Sequence, residues 1–219
     1  METREIRDIT GWIHNGMWSS LPEYPGADIS DLPHPAALPA DYEVHLQKFV
    51  IGGQSGTYVE NASHVSAAVA PVVELPLQEF VRPAVVIDVG DKGPLEPVTV
   101  AGLEAAKCDV RPGDAALIRT GWDANWERPC FVEESPFIER RAALWLIERG
   151  IGLLGSDFPR FDTPFAMQFP WGEFWERVGL IVAPVANLTG LSGRCGTLVA
   201  LPLKIRGAVC TPCRAVILR

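Results

Sequence analysis

The 219-residue chain has no run of about 18 consecutive apolar residues, so no segment reads as a membrane-spanning helix. Its first residues, Met1 to Asp8, are charged and lack the apolar core of a secretory leader. Lys and Arg are outnumbered 19 to 27 by Asp and Glu, and no basic cluster occurs. With a net charge of −8 and no stripe of cations to neutralise phosphates, nucleic acid is excluded as a partner. A small-molecule substrate is left open. The five cysteines are odd in number and scattered, which suits reduced thiols in a cytoplasmic protein better than a disulfide framework. Linkers, internal repeats and low-complexity tracts are also missing, and residues 1–219 read as a single domain.

What is present is ample material for a core, at 47% hydrophobic residues. The first forty residues are punctuated by proline (Pro33, Pro35, Pro39) and should wrap the surface. A strand is expected over Tyr42–Val50, and buried strands over Ala84–Val89 and Ala115–Arg119. Thr99 is placed to cap a short helix through Ala106. Ser135 followed by Pro136 predicts the start of a longer helix that carries Phe137, Ile138, Leu144, Trp145 and Ile147 on its apolar side. Gly150 should end it in a left-handed conformation. Further strands are expected at Ile151–Leu154, Leu180–Val182, Thr197–Leu203 and Ala215–Leu218, with a short helix around Gly172–Val178. Strands outnumber helices, and only some alternate with them. The expectation is a mixed, β-rich α/β domain.

One stretch concentrates chemistry. In Gln54-Ser55-Gly56-Thr57-Tyr58-Val59-Glu60, an extended backbone puts Gln54, Gly56, Tyr58 and Glu60 on one face. That face offers an amide, a close-approach glycine, a phenol and a carboxylate. Asn61-Ala62-Ser63 can turn the chain so that His64 returns over the same site. The same alternation also describes an edge strand with a solvated face, and spacing by itself favours that simpler reading.

The stretch QSGTYVENASH resembles the signature HxGTHxDxPxH of the cyclase family, the kynurenine formamidase-like metal-dependent hydrolases. Gly56, Thr57 and His64 match, and Glu60 stands for the aspartate. Gln54 and Tyr58 replace two metal-binding histidines, and Ala62 replaces the proline. The similarity extends along the chain. It runs through Asp8-Ile9-Thr10, Gly16-Met17 and Tyr24-Pro25-Gly26, then Leu75-Pro76-Leu77 and Val86–Val89. It continues through Pro112-Gly113-Asp114, Arg119–Trp122, Gly152–Asp157 with Asp162, Asn187-Leu188, Leu201–Leu203, and Pro212 with Arg214.

The resemblance implies a swivelling β/β/α fold and a homodimer or homotetramer. It implies hydrolysis of an amide, lactam or lactone by water activated on a divalent metal, Zn or Mn, with His64 moving the proton. The family's metal ligands are mostly replaced here. An amide is a weak donor, and a phenol must lose a proton to bind well. Trp171 and Ala183 stand near two further ligand positions, with Glu173 close enough to substitute. Glu60 and Gln54 are the only candidate ligands left in the motif. The retained polar set suits proton transfer by His64, with Glu60 orienting it and with Tyr58 and Gln54 donating hydrogen bonds to a carbonyl. Two alternatives use the same residues: a metal-independent lyase or isomerase, and a ligand-binding relative without turnover.

Other signals are weaker. His14, His34 and His45 share no ligand spacing and read as surface or packing residues. Cys210-Thr211-Pro212-Cys213 is a CxxC, but it runs into a strand and has no second pair, so it reads as unused for redox or zinc. Trp12, Trp18, Trp122 and Trp171 lie in loop-like segments; Trp18 and Trp171 are candidates to line a substrate pocket, with core packing the competing role. Arg160 either meets an anionic substrate or pairs with Asp157 or Asp162, the pair being favoured.

Overall fold

Apolar residues at period two build most of the structure, and the register of the strands positions the site. The computed structural model describes residues 5–219 except 22 and 25; of the opening segment compared above, Pro25 lies outside the described residues. The N-terminal half contains β1 (Ile6–Asp8), β2 (Asp28–Asp31), β3 (Gln47–Val50), β4 (Tyr58–Asn61) and β5 (Val81–Asp88). Next come β6 (Pro97–Val98), α1 (Val100–Ala105), β7 (Ala115–Arg119), α2 (Cys130–Glu133), β8 (Phe137–Ile138) and α3 (Arg140–Glu148). The chain closes with β9 (Leu153–Ser156), α4 (Trp171–Arg177), β10 (Leu180–Ala183), β11 (Gly193–Pro202) and β12 (Cys210–Leu218).

The main sheet has the order β1-β12-β11-β5-β7-β9-β10-β4, and β4 also pairs with β12. That second pairing closes every strand except β1 into a seven-stranded, barrel-like sheet. Strands β5, β7, β9 and β10 run parallel, and β4 is antiparallel to both its neighbours. The fold is the mixed, β-rich α/β expected.

Alternation divides the core in two. Ala84, Val86, Ala115, Leu117, Val182, Leu198 and Ile217 point inward and fill the barrel with Val59. Val85, Ile87, Ala116, Ile118, Leu154 and Ile181 point outward, where Leu103 of α1, Leu146 and Ile147 of α3 and Phe174 of α4 cover them. Each such fully buried branched side chain contributes about 1.5–3 kcal/mol through removal from water. Parallel strands covered on both faces need these continuous apolar runs.

Three local expectations change. The strand expected from Tyr42 is confined to Gln47–Val50, paired with Asp28–Asp31, because the residues before it make no ladder. The helix expected at Ser135-Pro136 begins only at Arg140. Phe137 and Ile138 instead pair in parallel with Pro97 and Val98, and the Ser135 hydroxyl donates to the Pro136 carbonyl rather than capping a helix. A tertiary strand pairing has overridden a good local start signal. Thr99 does cap α1, accepting from Gly102 N, and Gly150 ends α3 at φ +69°.

The loops after β7 and β9 are tied by one buried carboxyl group. Asp157 accepts from the backbone N–H of Thr120 at 2.8 Å, the Thr120 hydroxyl at 2.6 Å and Gly121 N at 2.7 Å. Burial nevertheless pushes its pKa up to about 7, against the downward pull of those donors. An unfolded aspartate titrates near 3.9, so between about pH 4 and 7 the folded state holds more protons than the unfolded one. The Asp157 contribution to stability is therefore fully present below about pH 4 and falls as pH rises toward 7. We expect the urea midpoint to decline across that window and the decline to be shallower in Asp157→Asn; equal slopes would refute the assignment.

Candidate active site

Strand β4 delivers the site. Tyr58 and Glu60 share its outer face, while Val59 between them enters the barrel core. Both polar residues are nearly buried, at 7% and 5% exposure. The strand begins only at Tyr58, so Gln54 does not sit on it as expected; residues 53–57 form turns and bends. Gly56 breaks the alternation at φ +65°, and a Cβ there would stand 2.6 Å from Ile13 Cγ1. Only glycine takes that backbone without strain. The turn nonetheless folds Gln54 back, and its Nε2 donates to Glu60 Oε2 at 2.7 Å.

Asn61 then turns the chain. Its side chain accepts from Ser63 N at 3.2 Å and caps a 3₁₀ turn, Ala62–His64, that leaves the His64 side chain exposed beside Glu60. The motif's amide, phenol, carboxyl and imidazole thus converge on one cavity of about 640 Å³. Phe161, Trp171 and Trp175 also line it, with the exposed Phe165 and Met167. Trp171 stacks on Trp175 at 5.4 Å between centroids and on Phe161 at 6.0 Å. Asp162 pins this wall: it accepts the Trp171 indole N–H at 2.6 Å and the backbone N–H groups of Gln168 and Phe169.

Burial shifts both acids of β4 in the same direction. Burial, with Glu60 and Cys210 nearby, pushes the Tyr58 phenol well above its ordinary value, so it remains a hydrogen-bond donor. Burial also raises the Glu60 carboxyl, although Gln54 and His64 pull the other way.

Cys210 was not legible as a neighbour of this site. It lies opposite Glu60 in the β12–β4 pairing, and directly opposed residues share a face. One donor atom each from Glu60, His64 and Cys210 falls within 4.8 Å of the other two. Burial and the charge of Glu60 push the thiol up to about 11. Its CxxC partner Cys213 is three positions along the strand, therefore on the other face, in the barrel core. The pair is too divergent for redox use, and no sequence signal could have linked residue 210 to residue 60.

The remaining candidates divide. Trp171 and Arg160 line the cavity. Trp18 does not; it packs on Trp126 and Phe131 with centroids 5.3 and 5.1 Å away. Arg160 pairs with neither Asp157 nor Asp162, whose oxygens are taken by Thr120, Gly121, Gln168, Phe169 and Trp171; its nearest acid is Glu133 at 3.8 Å. Glu173 cannot stand in for a ligand, because it is bound to Arg140 at 2.6 Å and lies outside the cavity lining. Of the four histidines, only His64 lines the cavity.

A barrel-like sheet with helices on its outer face brings an acid, a phenol and an imidazole into one cavity, a site equipped for proton transfer. The chain belongs to the cyclase family: residues 7–163 match the family described as "Putative cyclase". Among curated proteins it is 29% identical over 177 residues to the kynurenine formamidase of Salinibacter ruber, 80% of each chain. It is 27% identical over 221 residues to that of Bacillus cereus, 99% of each chain. Its fold matches isatin hydrolase A of Labrenzia aggregata, solved with benzyl benzoate, at TM-score 0.81 and 21% identity, covering 98% of this chain and 93% of the other. Isatin hydrolase A of Ralstonia solanacearum matches at TM-score 0.81 and 22% identity, covering 98% and 92%.

The family's divalent metal does not fit the ligand positions of its motif here. Tyr58 is held as a neutral phenol, the Gln54 amide is engaged with Glu60, and Trp171 and Ala183 supply no donor toward the cavity. Of that set only Glu60 still offers a donor to the cavity.

Proposed function

We propose that this chain hydrolyses an amide, lactam or lactone of a small, aromatic metabolite, with His64 as the acid–base group. The convergence of His64, Glu60 and Tyr58 on a cavity that is also lined by stacked aromatic residues carries this reading. The formamidase and hydrolase names of the relatives support the reaction class.

A planar substrate would stack against Phe161 and Trp171, with its carbonyl toward β4. His64 takes a proton from the attacking water and returns it to the departing nitrogen or oxygen. As the carbonyl oxygen gains charge, the Tyr58 hydroxyl donates to it from a site with little access to water. Glu60, held by Gln54, supports the imidazolium that forms. Arg160, held only by a long 3.8 Å pair with the exposed Glu133, is available to a carboxylate on the substrate.

The test is hydrolysis of an N-formyl arylamine, an aromatic lactam and an aromatic lactone by protein treated with EDTA. We expect at least one acid product to form at a rate that EDTA leaves unchanged. Complete loss of turnover in chelator, or no turnover of any of the three, would reject the mechanism.

The exposed apolar residues on and beside the β2–β3 hairpin, Leu46, Phe49 and Val50 with Leu32, support self-association through that hairpin as the route to a homodimer or homotetramer. Among the described residues no helix is long and apolar enough to cross a membrane.

A further inference from the structure

Proton transfer by His64 leaves the Cys210 thiol without a task, although it stands against the centre of the site. We propose that Glu60, His64 and Cys210 form a three-donor site for a thiophilic divalent cation, with Zn²⁺ as its type, and that occupancy withdraws His64 from proton transfer. The second half of this statement rests on the hydrolase reading; the first does not.

Three observations carry it. The β12–β4 register puts Cys210 directly across from Glu60, so thiol and carboxylate emerge on one face of a closed sheet whose backbone cannot spread them apart. The 3₁₀ turn after β4 brings an imidazole to the same point, with all three donor atoms mutually within 4.8 Å. Two ligands of one tetrahedral zinc ion, bonded at about 2.0 and 2.3 Å, stand roughly 3.5 Å apart. Side-chain rotation of the exposed His64 and the half-buried Cys210 closes the difference. Third, the polar company of Glu60 is an amide and an imidazole, and no lysine or arginine forms an ion pair with it among the described residues.

One sulfur, one nitrogen and one oxygen make an open, three-ligand zinc site with its fourth position facing the cavity. The sulfur sets the preference, since Mg²⁺, Ca²⁺ and Mn²⁺ favour all-oxygen or oxygen–nitrogen sets. On binding, the ion displaces the thiol proton to solvent and takes a ring nitrogen of His64. An imidazole nitrogen bonded to the ion cannot accept a proton from water. The site therefore opposes the reaction that the cavity otherwise performs.

Co²⁺ is the probe, added to the purified full chain. We expect one Co²⁺ per chain with a sulfur-to-cobalt charge-transfer band in the near ultraviolet. Cys210→Ser should abolish the band, and Cys130→Ser, in α2, should retain it. Zn²⁺ should slow turnover of the wild type. Cys210→Ser should weaken Zn²⁺ binding by more than the roughly 10–100-fold typical of changes outside a ligand set. Absence of the band, its survival in Cys210→Ser, or faster turnover with Zn²⁺ would overturn the proposal. A cobalt band in a chain that turns over none of the substrates upholds the site and removes the hydrolase reading; turnover without a band does the reverse.

Discussion

Replacing His64 with alanine is expected to lower kcat/KM by about 10²–10⁴-fold, while the unfolding transition stays where it is. The imidazole is the group in the cavity that can present a donor and an acceptor nitrogen at once, so it can take a proton and return one. Tyr58 is held as a phenol and Cys210 as a thiol by burial, so neither replaces it. The side chain is exposed at the end of a 3₁₀ turn whose capping belongs to Asn61, so its removal opens no core cavity. Steady-state kinetics on the best substrate of the three classes, with a urea melt of the same preparation, reads both halves. Unchanged kinetics would remove His64 from the mechanism. Lost stability would mean that the loss of rate was structural.

The second large effect is on the fold. Thr57→Val should destabilise the protein by about 1–3 kcal/mol for each of the two buried backbone groups it strands. The Thr57 hydroxyl accepts from Gly11 N at 3.0 Å and donates to the Pro184 carbonyl at 2.6 Å. Its own carbonyl accepts from Cys213 N at 2.9 Å. Valine keeps the shape and removes both side-chain hydrogen bonds. At 1% exposure water cannot replace them. Thr57 thus joins the N-terminal segment, β4, β12 and the end of β10 at one point, immediately before the residues of the site. A shift of less than about 0.5 kcal/mol in the urea denaturation free energy, which is ordinary for surface changes, would show that the network is dispensable. Thr57→Ser, which keeps the hydroxyl, should recover most of the stability.

These two variants divide the motif by task. Gly56 and Thr57 shape and anchor the backbone, through a left-handed turn against Ile13 and a three-way hydrogen-bond junction. Glu60 and His64 face the cavity. Gln54 and Tyr58, standing where the family has metal-binding histidines, remain polar contacts of that acid rather than becoming ligands. The backbone half of the motif has kept its residues while the coordinating half has changed, which accounts for a preserved fold around altered chemistry.

The parallel strands were the most legible part of the chain. Buried runs such as Ala84–Val89 and Ala115–Arg119 announce themselves because both faces of these strands are covered. Thr99 and Gly150 were equally readable, since a cap and a left-handed terminus depend on a few neighbouring residues. Ser135-Pro136 was misleading for a complementary reason: its local preference for starting a helix was weaker than the pairing of Phe137 and Ile138 with Pro97 and Val98.

The sequence by itself determined the family, the β-rich α/β class, and the chemical types gathered between Gln54 and His64, because these follow from local order and short-range pattern. Only the tertiary structure decided which of those groups meet, and with whom. Closure of the sheet through the β4–β12 pairing set Cys210 against Glu60, folding of the 159–175 segment supplied the aromatic wall, and packing drew Trp18 away from it. Contacts across 150 residues arise from strand register and core packing, and neither leaves a mark in the neighbouring sequence.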